Sequence, residues 1–273
     1  MGKHSKSKIE IKKDKKEKKQ HNRKNNKKIL SKIIIIFQII FLGVIIFSII
    51  EIYQWYKENK SNNEIAKQLS SFVTINNEKE ENDKDKYSID FKALKQQNSD
   101  TVAWIKVNNT KIEYPIVKAD DNSYYLTHSF DKTYNSAGWI FADYKNKLDG
   151  TDKNIVIFGH NRRDGSMFGT LKNVLDESWY NNETNMEIIF ATEDNNYKYR
   201  VFSIYQILKE DYYIQTEFED TEFAKFIKEI KERSIKNFNE EVSDQDTILT
   251  LSTCANNNKY RIVLHAKKIE WFY

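Results

Sequence analysis

The chain of 273 residues is long enough for one sizeable hydrophobic core with appendages. Aromatic residues make up 14% of it and hydrophobic residues 39%, which excludes a chain that is disordered as a whole. Its 7 Gly and 1 Pro exclude collagen-like and proline-rich sequences, and its 1 Cys excludes an intrachain disulfide or a cysteine-rich zinc module.

The net charge of +4 conceals an asymmetry between the N-terminal tail and the rest of the chain. Residues 1–32 contain 14 Lys/Arg and 3 Asp/Glu, whereas the remainder contains 30 basic and 37 acidic residues. Because the body of the protein is mildly acidic, no nucleic-acid partner is expected. Attraction to anionic membrane lipid explains the basic tail more simply.

An uncharged run over Ile33–Ile50 follows the basic tail. As a helix it would span about 27 Å, close to the thickness of a bilayer core. A buried helix of a soluble core would keep a polar face, and a cleaved signal peptide would have a shorter apolar region followed by small residues. We therefore predict an uncleaved single-pass anchor over residues 33–53 in the cell membrane. The tail, residues 1–32, is expected in the cytoplasm and the rest of the chain outside.

The predicted extracellular part has two regions. Residues 54–86 are expected to form a juxtamembrane helix over Trp55–Ile75 and then a polar linker. Residues 87–273 are expected to form a mainly-β domain, a barrel or sandwich, with a first helix over Phe91–Gln97 and a late helix over Thr221–Ile235. A hairpin turn is expected over residues 193–196. The predicted strands are Val102–Val107, Lys111–Val117, Gly138–Phe141, Asn154–Phe158, Met186–Thr192, Tyr197–Leu208, Thr247–Thr253 and Arg261–Lys268.

A histidine follows one of these strands directly. Asn154–Phe158 is apolar apart from its first residue, and Gly159 and His160 come next, before a polar loop. A histidine at the end of a buried strand is well situated to line a cleft and exchange protons. The alternative is a structural histidine that is satisfied by local hydrogen bonds.

The lone cysteine, Cys254, ends a second apolar strand. Strand alternation assigns it to one face with Thr250 and Ser252. If this strand pairs with the next one, the short connection brings Arg261 back beside Cys254, where a guanidinium could stabilise a thiolate or an oxyanion. The alternatives are a buried cysteine that acts as a small hydrophobic residue and an ordinary surface arginine.

Two further histidines, His128 and His265, are expected to be structural, since the first lies in an aromatic stretch and the second inside the last predicted strand. No set of His, Cys, Asp and Glu has the spacing of metal ligands, and HExxH is absent. No metal and no other cofactor is expected.

These features together resemble the sortases, the cysteine transpeptidases of Gram-positive cell walls. The resemblance rests on TLSTC at Thr250–Cys254, an arginine seven residues later, and an upstream GHN. GHNRRDGSMFGTL at Gly159–Leu171, DNSYYLTHSFD at Asp121–Asp131, the AWIKVNNTKIEYPIV stretch and the late helix resemble class B in particular. The resemblance covers about Phe91–Lys268.

The resemblance implies a closed eight-stranded β-barrel with N-terminal helices and one helix inserted before the cysteine strand. It implies that Cys254 is the nucleophile, His160 the acid/base, and Arg261 the oxyanion or substrate-positioning residue. Such an enzyme, classed with the thiol proteases, attacks the threonine carbonyl of a C-terminal sorting signal and forms a thioacyl-enzyme.

The resemblance also implies the partners. They are secreted proteins that carry a sorting signal, and an amine of peptidoglycan or of its lipid-linked precursor. Asn122 and Leu126 match positions that line the substrate groove in the family, and Ser252 shares the strand face of Cys254. All three are expected to bind substrate.

Two other functions share some of these features. A cell-wall cysteine peptidase of another fold would use the same nucleophile and base, but would release its product to water and need no arginine at this position. A non-catalytic adhesin or pilin-like wall protein would contain an unreactive cysteine.

Overall fold

The computed structural model of the protein describes residues 8–75, 87–219, 221–255 and 259–272. It forms two compact units, one that ends at Tyr56 and one that spans Lys57–Tyr273. The predicted polar linker over residues 76–86 and the side chain of Cys254 lie outside the described part of the chain.

The first helix, α1, spans Lys8–Leu69. Its sequence is rich in Lys and Ile and contains no proline, which would interrupt the backbone hydrogen bonds. An 18-residue window in it reaches a mean hydropathy of 3.2 with none of its residues buried. Within the described residues it is the one helix that is long and apolar enough to cross a membrane, as predicted for the anchor.

The end of α1 corrects one prediction. The juxtamembrane helix expected over Trp55–Ile75 stops at Leu69, and a 3₁₀ turn follows at Ser70–Phe72. Val73–Ile75 instead forms strand β1, which pairs with β2 at Tyr87–Ile89. The reason is the run of β-branched residues, which lose side-chain freedom in a helix and pack well on a pleated surface.

The second unit is built on a closed barrel of eight strands in the order β10-β8-β7-β3-β4-β5-β6-β9, which confirms the predicted architecture. All neighbours are antiparallel except the parallel pairs β4–β5 and β6–β9. The strands are β3 (Thr101–Val107), β4 (Glu113–Val117), β5 (Phe141–Ala142), β6 (Asn154–Phe158), β7 (Glu187–Ala191), β8 (Asn196–Leu208), β9 (Ile248–Ala255) and β10 (Tyr260–Phe272).

Most predicted strand bounds agree with the structure, and β5 is the main exception. The strand expected over Gly138–Phe141 is reduced to Phe141–Ala142, because Gly138 has a φ of 59° and turns the chain. The predicted turn over residues 193–196 does join β7 to β8, since Ala191 is the strand partner of Asn196.

In the described part of the chain three α-helices accompany the barrel: α2 (Phe91–Gln97), α3 (Glu177–Tyr180) and α4 (Glu222–Glu232). Helix α2 has the predicted bounds, and the side chain of Asp90 caps it by accepting a hydrogen bond of 2.8 Å from the amide of Ala93. Helix α4 begins and ends inside the predicted Thr221–Ile235 range.

Helix α4 explains why strand β9 is buried on both faces. Its apolar side chains Phe226 and Ile230 pack with Tyr205 and Val263 in a cluster outside the barrel. The interior of the barrel is a separate cluster that includes Leu249 and Leu251. A barrel strand usually alternates between the core and solvent, but here each face of β9 meets an apolar layer.

Candidate active site

The parallel pairing of β6 with β9 brings two distant parts of the sequence to one edge of the barrel. Phe158 is the strand partner of Ser252. Beyond this pair the amide of Gly159 donates to the carbonyl of Ser252 at 3.3 Å, and the hydroxyl of Thr253 donates to the carbonyl of Gly159 at 2.6 Å. Because parallel strands end at the same edge, the residues that follow, His160 and Cys254, belong to that edge as well.

The antiparallel pairing of β9 with β10 brings the third predicted residue to the same edge. Arg261 is the direct strand partner of Cys254. Opposite residues of an antiparallel pair have Cα atoms about 4.5–5.5 Å apart. The expectation that the connection returns the arginine beside the cysteine is therefore confirmed at the level of the backbone. The half-buried guanidinium donates from Nη1 to the carbonyl of Tyr260 at 3.1 Å.

The imidazole of His160 is fixed by the backbone carbonyl of Leu126, which lies 2.8 Å from Nε2. Since a carbonyl only accepts, Nε2 carries a proton, and in the neutral ring Nδ1 is the nitrogen that can accept one. Burial lowers the pKa of His160 below its ordinary value. The positive charge of Arg162 lowers this pKa further, and the Leu126 carbonyl partly opposes both effects.

Gly159 is required by close packing behind this histidine. A Cβ atom at this position would lie 2.7 Å from Cγ of the Phe168 ring, which is fully buried. The amide of Phe168 also donates to the carbonyl of His160 at 3.0 Å, so the polar loop folds back on the residue that precedes it. A larger residue at 159 would displace either the ring or the strand end.

A groove of about 330 Å³ lies beside these residues. It is lined by His160 and Arg261 together with all three residues predicted to bind substrate, Asn122, Leu126 and Ser252.

The three predicted substrate residues differ in what they present to the groove. Leu126 is 40% exposed and offers apolar surface. Asn122 donates to the carboxylate of Asp143 at 2.8 Å and accepts from the amide of Tyr144 at 3.0 Å, so much of its amide holds the groove wall together. Ser252 is buried, and its hydroxyl lies 3.0 Å from that of Tyr213.

One wall of the groove was not predicted from the sequence. It comes mainly from the connection between β8 and α4, which contains a 3₁₀ turn at Tyr212–Ile214. Asn154 anchors this connection by donating to the carbonyl of Gln215 at 2.8 Å. The two adjacent tyrosines in this connection are the one feature of the sequence that could have indicated this wall. The additional lining residues of the groove are Phe141, Phe158, Gly159, Lys209, Asp211, Tyr213, Ile214 and Thr253.

The two competing histidines lie elsewhere. His128 stacks on the Tyr124 ring at a centroid distance of 4.1 Å, and His265 is fully buried between the hydroxyl groups of Tyr205 and Thr250. Neither lines the groove. Within the described residues no group of three or more His, Cys, Asp or Glu side chains could hold a metal ion.

Comparisons with known proteins agree on one family. The sortase domain profile matches residues 105–269. Sortase B of Listeria monocytogenes is 34% identical over 242 residues, which cover 85% of this chain and 94% of that protein. Sortase B of Staphylococcus aureus is 32% identical over 246 residues, which cover 88% and 98%.

Solved structures agree as well. A crystal structure of sortase B from B. anthracis in complex with AAEK1 has a TM-score of 0.69 at 32% identity and covers 79% of this chain and 99% of that one. A Staphylococcus aureus sortase B–substrate complex has a TM-score of 0.62 at 35% identity, with coverages of 66% and 84%.

The chain therefore belongs to the sortase family, whose members are cysteine transpeptidases. Within that family its relatives and structural neighbours are class B enzymes, and it is a class B sortase. The resemblance inferred from the TLSTC and GHN motifs is confirmed.

Proposed function

We propose that this enzyme cleaves the C-terminal sorting signal of a secreted protein at the carbonyl group of its threonine. It then transfers that protein to an amine of peptidoglycan or of the lipid-linked precursor. The observation that supports the proposal most directly is the strand register at one edge of the barrel. Strand β9 lies between β6 and β10, so Cys254 has Arg261 as its partner on one side and the strand that leads to His160 on the other.

In the proposed reaction Cys254 is the nucleophile. Its thiolate attacks the threonine carbonyl carbon, and Arg261 stabilises the negative charge that develops on the oxygen. The carbon–nitrogen bond then breaks as the imidazolium of His160 protonates the leaving amine, which leaves a thioester on Cys254. In the second half an acceptor amine attacks the thioester and passes a proton to His160, and the thiolate leaves.

The environment of His160 determines which protonation states are common. Because its pKa is lowered by burial and by Arg162, the neutral imidazole predominates at neutral pH. The pair of thiolate and imidazolium is then a minor form, from which attack proceeds. Since Nε2 is engaged with Leu126, we assign proton exchange with the reacting groups to Nδ1.

The groove beside His160 and Arg261 is proposed to hold the sorting signal. Leu126 provides an apolar contact, and Asn122 and Ser252 belong to the polar part of the lining. Two neighbouring structures support binding of this kind, since one is a sortase B–substrate complex and another is sortase B complexed with triglycine. For this chain we propose the same class of ligands, a peptide donor and an amine acceptor.

The membrane helix is proposed to hold the catalytic domain, residues 87–273, at the outer surface. The basic tail, residues 1–32, would stay in the cytoplasm, where positive charge next to a spanning helix is retained and meets anionic lipid. Residues 33–53 would cross the bilayer, and residues 54–86 would connect the anchor to the catalytic domain. This arrangement leaves the groove on the side where secreted proteins emerge.

The test uses the full-length protein in detergent micelles with a peptide library that is degenerate except for a fixed threonine. We expect mass spectrometry to detect the acyl group on Cys254, the only cysteine, and the same acyl group joined to triglycine when that acceptor is added. Cys254→Ala should form neither species. Arg261→Lys should turn over about 10²-fold more slowly, because an ammonium cannot reproduce the planar guanidinium, and Lys259→Ala is the neighbouring control.

Two results would contradict the proposal. Hydrolysis at a rate that is indifferent to triglycine would identify a peptidase that releases its product to water. A thiol that does not react with iodoacetamide in the folded protein would favour the non-catalytic wall protein.

A further inference from the structure

The carbonyl group that binds His160 is packed against a single glycine. Gly138 has a φ of 59°, and the amide of the next residue, Trp139, donates to the carbonyl of Tyr125 at 2.9 Å. A Cβ atom on Gly138 would lie 2.4 Å from the Tyr125 oxygen, 2.9 Å from the Leu126 oxygen and 3.0 Å from Cδ2 of His160. Any side chain at 138 would therefore displace both partners of the Leu126–His160 hydrogen bond.

Gly138 is in turn held by an asparagine of α1. Asn62 is fully buried and donates from Nδ2 to the carbonyl of Gly138 at 2.9 Å. Its Oδ1 accepts from the hydroxyl of Ser129 at 2.5 Å and from the side-chain Nδ2 of Asn135 at 2.9 Å. One side chain thus fixes three points of the segment that contacts His160. A buried amide with three partners is costly to remove, because each partner is left without its hydrogen bond.

The same helix also reaches the other side of His160. Arg162, two residues further along, donates from Nη2 to Oδ1 of Asn59. The charged groups near this arginine are Glu58, on α1, and Asp164, on the loop. Segment 57–69 of α1 belongs to the same compact unit as the barrel. It therefore contacts both the loop that follows His160 and the segment that supplies its carbonyl partner.

We propose that Asn62 and Gly138 are positioning residues for His160. Together they hold the Leu126 carbonyl where it keeps the proton on Nε2 and leaves Nδ1 for exchange with the reacting groups. The helix segment next to the membrane anchor is thereby a part of the support of the active site. The inference rests on the proposed acid/base role of His160 and extends it to residues that touch neither substrate nor cysteine.

The test compares two adjacent asparagines of α1 in the full-length protein in micelles. In Asn62→Ala we expect kcat to fall about tenfold with little change in KM, because a misplaced acid/base group affects the chemical step more than binding. We also expect the acid limb of the pH–rate profile for iodoacetamide alkylation of Cys254 to move to lower pH, because the Leu126 carbonyl raises the pKa of His160. Asn63, the exposed neighbour, is the control, and Asn63→Ala should change neither quantity.

A second pair of variants tests Gly138 against a glycine that also has positive φ but is not packed against other groups. Gly138 and Gly150 both have positive φ, but a Cβ atom on Gly150 meets nothing within 4 Å. Gly138→Ala should therefore lower kcat per folded molecule by about tenfold or more, whereas Gly150→Ala should leave it within about twofold. Should Gly138→Ala fail to fold, the Asn62 variant still decides the question.

The outcomes distinguish this inference from the proposed function. If His160→Ala is inactive while Asn62→Ala keeps the kcat and the pH profile of the parent, the positioning role is wrong and the acid/base role stands. If Asn62→Ala only lowers the melting temperature, Asn62 is merely structural. If His160→Ala keeps full turnover, both proposals are overturned.

Discussion

Two histidines on opposite sides of strand β9 show how differently one residue type is used in this barrel. His160 follows β6, is partly exposed and lines the groove, with Nε2 held by the carbonyl of Leu126. His265 lies inside β10 with no exposed surface. Both come after a run of apolar residues, so the sequence around them looks alike. Their surroundings distinguish them.

Burial lowers the pKa of His265, so its ring is neutral, and the surrounding hydrogen bonds are satisfied in that form. Thr250 donates to Oδ1 of Asn154 at 2.6 Å, so its hydroxyl oxygen accepts from Nδ1 of His265 at 2.8 Å. The hydroxyl of Tyr212 donates to that of Tyr205, which in turn donates to Nε2 of His265 at 2.8 Å. Both ring nitrogens are therefore used inside the protein. A histidine of this kind stabilises the fold, whereas one with a single engaged nitrogen beside a groove can exchange protons.

The largest expected effect is that replacing the two histidines changes different properties, the activity for His160 and the stability for His265. His160→Ala should lower kcat/KM by about 10³-fold with little change in melting temperature, because it removes the proposed acid/base group from a partly exposed position. His265→Ala should lower the melting temperature by about 5–15 °C, because two buried hydroxyl groups lose a partner. Its kcat per folded molecule should stay within a few-fold of the parent.

Thermal melts followed by circular dichroism, together with peptide turnover, measure both effects in the full-length protein in micelles. An inactive but fully stable His265→Ala would show that the buried histidine also takes part in the chemistry. A His160→Ala variant that is active but destabilised would mean that His160 has the structural role assigned to His265.

A smaller effect concerns the dependence of stability on pH. Burial lowers the pKa of His265 from 6.5 to about 3. Between these values the unfolded chain binds a proton that the folded protein does not, so this contribution to stability is complete above pH 6.5 and is lost as the pH falls. At pH 5 the loss is about 2 kcal/mol.

His265→Gln, which cannot titrate, should remove much of this dependence. Melting temperatures of the parent and the variant at about pH 7.5 and pH 5 provide the measurement, with the difference between the two pH values as the quantity compared. An unchanged difference would mean that other groups dominate the acid sensitivity of the fold.

The smallest expected effect is a shift in the acid limb of the pH profile of kcat/KM. Arg162 lowers the pKa of His160 by its positive charge, so Arg162→Gln should raise that pKa and move the acid limb of kcat/KM to higher pH. Arg163 is exposed and adjacent, and Arg163→Gln is the control that should move it less. A limb that moves to lower pH in Arg162→Gln would show that its hydrogen bond to Asn59 matters more for His160 than its charge.

The fold was predictable where the sequence pattern is local. Alternating and apolar runs gave the eight barrel strands, and the short connection after Cys254 correctly suggested its pairing with Arg261. Periodicity could not show that Thr250 and Ser252 are buried as well, because the burial of that face comes from a separate helix, α4, and the connection before it. The pairing of β1 with β2 involves only three residues on each side and has too weak a pattern to be read.

The site was predictable as a set of residue types but not as a surface. The motifs predict His160, Cys254 and Arg261 as the reacting residues, and the groove adjoins the histidine and the arginine. The wall at Tyr212–Ile214 and the contacts of Asn62 depend on side chains that meet across long stretches of sequence. Nothing in the residues around Asn62 distinguishes it from Asn63, although one is fully buried and the other exposed.

The parallel contact of β6 with β9 has a consequence for the timing of activity. It joins Gly159 to Thr253, which are 94 residues apart, and β9 and β10 are the last strands in chain order. If the domain is exported from its anchored end, as proposed, Cys254 emerges only after nearly all of the domain. The proposed contacts of Cys254 with His160 and Arg261 therefore form only when these last strands close the barrel.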